Sequence, residues 1–307
     1  MVRETGNYRQ KKPLKCYFLS CLLLLVTCHL SPVTSVYAGE VPKRIISLAP
    51  NITEILYSMG LGDRIVGVTA FCDYPVEARK KKRIGGMSNP SLEAVVSLKP
   101  DIVVMTTDGN TKEFEERLHS LKIKTYVFKA KRLHELPQGI RDLGTALGVK
   151  EKAEGLAKEM EGINSFLPPF NSPLSKGGNR GVKGRHGGIN NPSLKKKVLF
   201  IIWPEPLIVA GPGTAIDDVI SLLGCENIAK GTYTSYPKYS VEEIIRKSPD
   251  VIFIGKGHMK ETSRALLKRI SNVPAVKSGE VYYVSDSIYR LGPRALKGIE
   301  EMARCLR

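Results

Sequence analysis

The residues able to do chemistry are few in this chain, and they do not converge on a reaction. His119, His134, His186 and His258 are scattered, with no His-x-His or His-x-x-x-His spacing, so the ligand pattern of a hydrolytic zinc site is missing. There is no Gly-x-Ser-x-Gly elbow and no phosphate-cradling GxxxxGK[ST] loop, and the Gly-Pro-Gly-Thr run at 211–214 reads as a turn before a helix. What remains suits grip rather than turnover. Phe71, Tyr74, Trp203 and Tyr289 offer flat apolar faces with polar edges, which is how a large planar ligand is held. Asp286 and Arg290 add groups able to hydrogen-bond amides or carboxylates on such a ligand. Each ring would serve equally as a packing anchor, and Asp286 and Arg290 would serve equally as a brace across their own loop.

The elements that must position these residues announce themselves through a repeat. The stretch NPSLEAVVSLKPDIVVM at 89–105 has a second copy, YSVEEIIRKSPDVIFI, at 239–254. Ser91, Glu93, Pro100 and Asp101 overlay Ser240, Glu242, Pro249 and Asp250 without a gap. Each copy reads as a polar cap, a short helix with an acidic first turn, a Pro-Asp stop and a buried strand. Around each copy strands and helices alternate, which argues for two similar α/β lobes with mainly parallel sheets. The first lobe is expected over 43–135, a linking helix with a break near 148–150 over 136–164, and the second lobe over 197–307. Helices ending at Gly60 and Gly224 repeat the pattern again, since glycine just past a last apolar turn takes positive φ without penalty. In open sheets of this kind ligands collect beyond the carboxyl ends of the strands. The loops 49–51, 71–75, 203–213 and 285–292 lie there, and they carry the aromatic residues named above.

Charge and composition narrow the class. The net charge of +17 suggests nucleic acid, but 1–38 holds five basic residues and one acidic, and 165–197 holds seven basic and none acidic. Elsewhere no segment interleaves basic and aromatic residues densely, so no nucleic-acid partner is expected. Residues 1–38 read as a signal peptide: Arg9, Lys11, Lys12 and Lys15 precede an apolar run, and Val36, Tyr37 and Ala38 offer a cleavage site. Lipid attachment at Cys28 is the alternative. Residues 165–196, rich in Gly, Pro, Asn and Lys, are expected to form a disordered low-complexity insertion. Beyond the signal segment Cys72, Cys225 and Cys305 permit one disulfide in an oxidising compartment, with no pairing favoured.

The runs RIISLAPNITEILYSMGLGDRIVGVT, CDYP, NPSLEAVVSLKPDIVV and SDSIYRLGPR resemble the helical-backbone class of periplasmic substrate-binding proteins of ABC importers, and its cobalamin-binding members in particular. The likeness spans 44–166 and 197–306. It implies a chelatase-like fold of two lobes joined by one long helix, with the ligand held in the cleft and no catalysis. It also implies no cofactor, cobalamin being the cargo, and a periplasmic location, with an ABC permease and ATPase as partners and no membrane contact beyond the permease or a lipid anchor. By motif, Tyr74 would stack on the ligand, and Asp286 and Arg290 would lie at the rim of the other lobe. Glu93 and Glu242 would meet arginines of the permease, although an acidic first turn is also what the helix dipole favours. Ser287 and Ile288 depart from the aromatic often found in that last loop. Siderophore and haem binders share the scaffold and form the alternative, and a tetrapyrrole chelatase-like enzyme is the alternative of a different class.

Overall fold

A computed structural model describes residues 41–165, 195–255 and 260–306. The expected signal peptide with Cys28, almost all of the insertion over 165–196, and His186 and His258 lie outside these residues.

The first lobe runs β1 (Ile45–Ser47), α1 (Pro50–Ser58), β2 (Ile65–Val68), β3 (Lys82–Arg83), α2 (Leu92–Ser97), β4 (Ile102–Thr106), α3 (Lys112–Ser120) and β5 (Thr125–Phe128). Its five strands lie in the order β3-β2-β1-β4-β5, all parallel. Successive residues of one strand feed opposite faces. Ile45 and Val104 enter an inner core, while Ile46, Val103 and Met105 enter an outer one against Phe114 and Leu118. A parallel strand covered on both sides needs apolar residues throughout, which is why the sequence shows runs rather than alternation.

The second lobe is built around β6 (Lys197–Pro204), followed by β7 (Leu207–Val209), α6 (Ala215–Leu222), β8 (Glu226–Asn227), α7 (Val241–Lys247) and β9 (Val251–Gly255). Helices α8 (Lys260–Arg269) and α9 (Pro274–Lys277), strand β10 (Val281–Val284) and helix α10 (Ala295–Cys305) complete it. The order is β10-β9-β6-β7, with β8 also paired to β6; only β7 runs antiparallel.

The repeat extends to individual hydrogen bonds. Ser91 Oγ accepts from the Ala94 amide at 3.2 Å and Ser240 Oγ from the Glu243 amide at 3.0 Å, so α2 and α7 start with the same cap. Both copies then end the helix on a residue in the left-handed region, Lys99 at φ 43 and Ser248 at φ 49, a common helix stop, and the proline that follows cannot continue the helix. The aspartate after the proline clips the start of the central strand. Asp101 accepts from the Lys43 and Arg44 amides at 2.7 and 2.9 Å, and Asp250 from the Lys197 amide at 2.8 Å.

Between the lobes, the linking segment over 136–164 breaks near 148–150, where a break is expected, and is two helices rather than one long one, α4 (Leu136–Ala146) and α5 (Lys150–Ser165). Gly148, at φ 71, closes α4: its amide donates to Thr145 O and the Val149 amide to Gly144 O, the two bonds of a Schellman turn. Gly60 and Gly224 close α1 and α6 in the same way. The two linking helices then fold back on each other. A Cβ on Gly144 would fall 2.0 Å from that of Ala153, so only glycine admits this approach. Arg141 bridges the pair, donating to Glu154 at 2.7 Å and Glu161 at 2.8 Å.

One core joins both lobes and the linking helices. Ile52 and Phe128 of the first lobe, Ile140 and Leu156 of the link, and Phe200 and Phe253 of the second belong to the same buried cluster. Cys72 and Cys225 are both buried free thiols, so no disulfide closes among the three described cysteines.

Candidate functional site

The loops at the carboxyl ends of the strands meet where the two lobes face each other. Arg83 holds the loop after β2, donating from Nη1 to the Thr69 and Cys72 carbonyls, each at 2.8 Å. That presents Asp73 and Tyr74 toward the loop after β10. On the opposite side the Ser285 amide donates to Glu301 of α10 at 2.9 Å. Gly298 lets α10 lie against the same loop, since a Cβ there would stand 2.7 Å from the Ile288 backbone.

Across the gap runs a network of charges. Arg290 donates to Asp73 Oδ1 at 2.5 Å and pairs with Asp286 Oδ2 at 2.8 Å, with Glu54 Oε1 at 3.9 Å. Arg294 donates from Nε to Glu54 Oε2 at 2.9 Å and from Nη1 to Asp286 Oδ1 at 3.3 Å. Its guanidinium also lies over the Tyr74 ring, 4.2 Å from the centroid. Glu54, in α1, is buried to 2% exposure. Burial raises its carboxyl above the ordinary value, opposed by the hydrogen bond and charge of Arg294 and the charge of Arg290. Burial acts upward on Asp73 too, but there the hydrogen bond and charge of Arg290 outweigh it and the carboxyl is lowered. Arg294 is held protonated chiefly by its hydrogen bond to Glu54.

A second inter-lobe contact lies at Asp218 of α6, buried to 4%. Its carboxylate accepts from Arg132 Nε at 3.0 Å and from the Leu133 amide at 3.1 Å, just before the linking helices begin.

The aromatic candidates fall into two groups. Phe71, Tyr74 and Trp203 keep 53%, 47% and 43% of their surface, so each still has a face to offer. Trp203 is held at the end of β6, its Nε1 donating to the Glu205 carbonyl at 2.7 Å in the turn to β7. Tyr289 is different. Its ring meets Phe200 edge-on at 6.3 Å, and it fills the space beside Gly255 that a Cβ would take, 2.9 Å away. Burial pushes its phenol up to about 12, which describes an anchor for the loop more than an open face. Asp286 and Arg290 do brace one another, and the brace continues to the other lobe through Asp73 and Glu54. Glu93 and Glu242 stand apart from the network, exposed in the first turns of α2 and α7.

Sequence reasoning passed over Tyr236. It lies in the loop between β8 and α7, fastened along β7 by the Gly211 amide to Ser235 O at 2.8 Å and the Tyr239 amide to Leu207 O at 2.9 Å. Tyr236 keeps 38% of its surface, yet burial and the Asp108 carboxylate of the first lobe both raise its phenol. The signal was there to read: GTYTSYPKY places three tyrosines within seven residues beside a proline. Glu54 and Asp73 were also passed over as members of the site.

Known proteins resemble the chain along nearly its whole length. The sequence profile of the periplasmic binding protein family matches residues 45–182 and 186–287. A vitamin B12-binding protein of Pectobacterium carotovorum subsp. carotovorum (strain PC1) is 29% identical over 286 residues, 93% of each chain. An uncharacterized ABC transporter substrate-binding lipoprotein of Bacillus subtilis (strain 168), YvrC, is 30% identical over 86% of this chain and 80% of its own. Among solved structures, the periplasmic vitamin B12-binding protein BtuF of Vibrio cholerae superposes with a TM-score of 0.64 at 26% identity, covering 87% of this chain and 97% of that one. The periplasmic haem-binding protein RhuT of Roseiflexus sp. RS-1 shares the fold, with a TM-score of 0.70 at 23% identity, covering 86% and 97%.

Proposed function

The chain belongs to the periplasmic binding protein family, and on that premise we propose that it is the extracytoplasmic solute-binding component of an ABC importer, capturing cobalamin between its lobes and handing it to the permease. The observation that carries the ligand assignment is the end-to-end likeness to vitamin B12-binding proteins, 93% of both chains in the Pectobacterium relative. The cleft agrees with it. Phe71, Tyr74, Trp203 and Tyr236 keep partly open surfaces, and Asp286 and Arg290 are the polar groups proposed to meet the ligand's edges. Its role is binding rather than catalysis.

Glu93 and Glu242 are the proposed contacts with the permease, one acidic point on each lobe at matching places in the repeat. Periplasmic release after cleavage near Ala38 is the favoured placement; attachment through a lipid on Cys28 is the second, in keeping with the B. subtilis relative, a lipoprotein.

Calorimetry of the mature protein against cyanocobalamin, haemin and a ferric siderophore tests the ligand. Cyanocobalamin is expected to bind with a Kd of about micromolar or tighter, roughly −8 kcal/mol or better. Heat from haemin alone would overturn the assignment in favour of the haem binders that share the fold.

A further inference from the structure

Resting on the cobalamin reading above, we propose that the cleft also sorts chelate ligands by charge. Glu54, Asp73 and Asp286 occupy the guanidinium groups of Arg290 and Arg294, so a ligand edged with amides is admitted and one edged with carboxylates is refused.

The argument is a count of donors. A carboxylate-bearing ligand needs cationic donors, and bidentate arginine is the group best shaped to provide them. Arg290 and Arg294 stand in the right place, but Arg290 already faces three carboxylates and Arg294 two. Arg294 is further covered by the Tyr74 ring. The acids meanwhile outnumber the bases. Asp73 is the most open of the network, its side chain 48% exposed against 13% for Arg290 and 20% for Arg294. An arriving ligand therefore meets oxygen acceptors before it meets guanidinium donors. Amide N–H groups can donate to those oxygens, whereas a carboxylate finds like charge and must first displace a buried pair. The partners come from both lobes, Glu54 and Asp73 from one and Asp286, Arg290 and Arg294 from the other, so the filter exists only in the assembled cleft.

The test uses Asp73→Asn and Asp286→Asn in the full mature chain. Each is titrated calorimetrically with cyanocobalamin, haemin and haemin dimethyl ester, whose propionates are masked. Each variant removes one carboxylate and frees part of a guanidinium. The expected result is that the ratio of haemin to cyanocobalamin affinity rises by about tenfold or more in at least one variant, with no comparable rise for the dimethyl ester. An unchanged ratio in both folded variants would overturn the proposal. So would an equal gain for the ester, since that reports a loosened cleft rather than a freed charge. The wild-type titration with cyanocobalamin judges the ligand reading separately: its failure leaves the haemin and ester comparison to decide the charge filter alone.

Discussion

Glu54 shows how much a single side chain can organise. It is almost fully enclosed, and the groups that compensate its charge are two arginines from the other lobe. Replacing it by Gln keeps the shape and removes the charge, leaving Arg294 with Asp286 as its only remaining carboxylate. Burial raises the Glu54 carboxyl above its ordinary value, so the pairing does not fully offset the cost of enclosing the charge, and Glu54→Gln is expected to change unfolding free energy by less than about 1.5 kcal/mol, read from urea midpoints. A loss of about 3 kcal/mol or more would mean that the pairing outweighs the burial cost of the carboxylate. At this scale the sequence exposed only what was local. Asp286 and Arg290 sit four residues apart and their mutual brace could be read directly. Asp73 and Glu54 are 217 and 240 residues from the arginines they meet, and no spacing rule reaches that far. Trp203 drew attention by being the only tryptophan; Tyr236 lay hidden among other tyrosines.

Elements were legible wherever short-range chemistry defines them. The paired helices α2 and α7 have a serine cap, an acidic first turn and a Pro-Asp stop within a dozen residues, and all of it recurs in the fold. Two elements were less visible. Strand β7 is three residues long beside Pro206, and it pairs antiparallel at an edge, so it looks like loop. The linking segment showed its break near Gly148 but not the fold-back of α5 on α4, which depends on Gly144 meeting Ala153. The paired helices also carry the docking proposal. Beside Glu93 and Glu242, Val96 and Ile245 are exposed at 42% and 46%, and they too occupy matching positions of the repeat. Acidic and apolar residues three apart on both lobes make a pair of like patches. Replacing Glu93 and Glu242 together by Ala is expected to preserve cobalamin binding and to abolish stimulation of the permease's ATPase. Loss of a first-turn acid costs about 0.3–1 kcal/mol, too little to unfold the protein. Normal stimulation by the double variant would remove the assignment.

For the whole molecule, the sequence supported two lobes but not the continuity between them. The inner core draws on both sheets and on the link, and Asp218 ties α6 to the start of that link through Arg132 and Leu133. Such pairings join residues 85 and 86 apart, beyond any local pattern. The lobes should therefore unfold together. Trp203 reports the second lobe by fluorescence while far-ultraviolet circular dichroism reports both, and the two urea transitions are expected to coincide. Asp218→Ala is expected to shift both midpoints down by about 2–3 kcal/mol without separating them. Curves that part company would show the lobes to be independent units.

The same unbroken apolar filling bears on unloading. Halves that met only at their lips could swing wide and let their passenger diffuse away. Here any such swing would drag apolar side chains of the shared core into water and pull carboxylates off their arginines. Thermal motion supplies no such effort on demand, so the proposed delivery calls for leverage from outside, and the two proposed docking patches are where it would be applied.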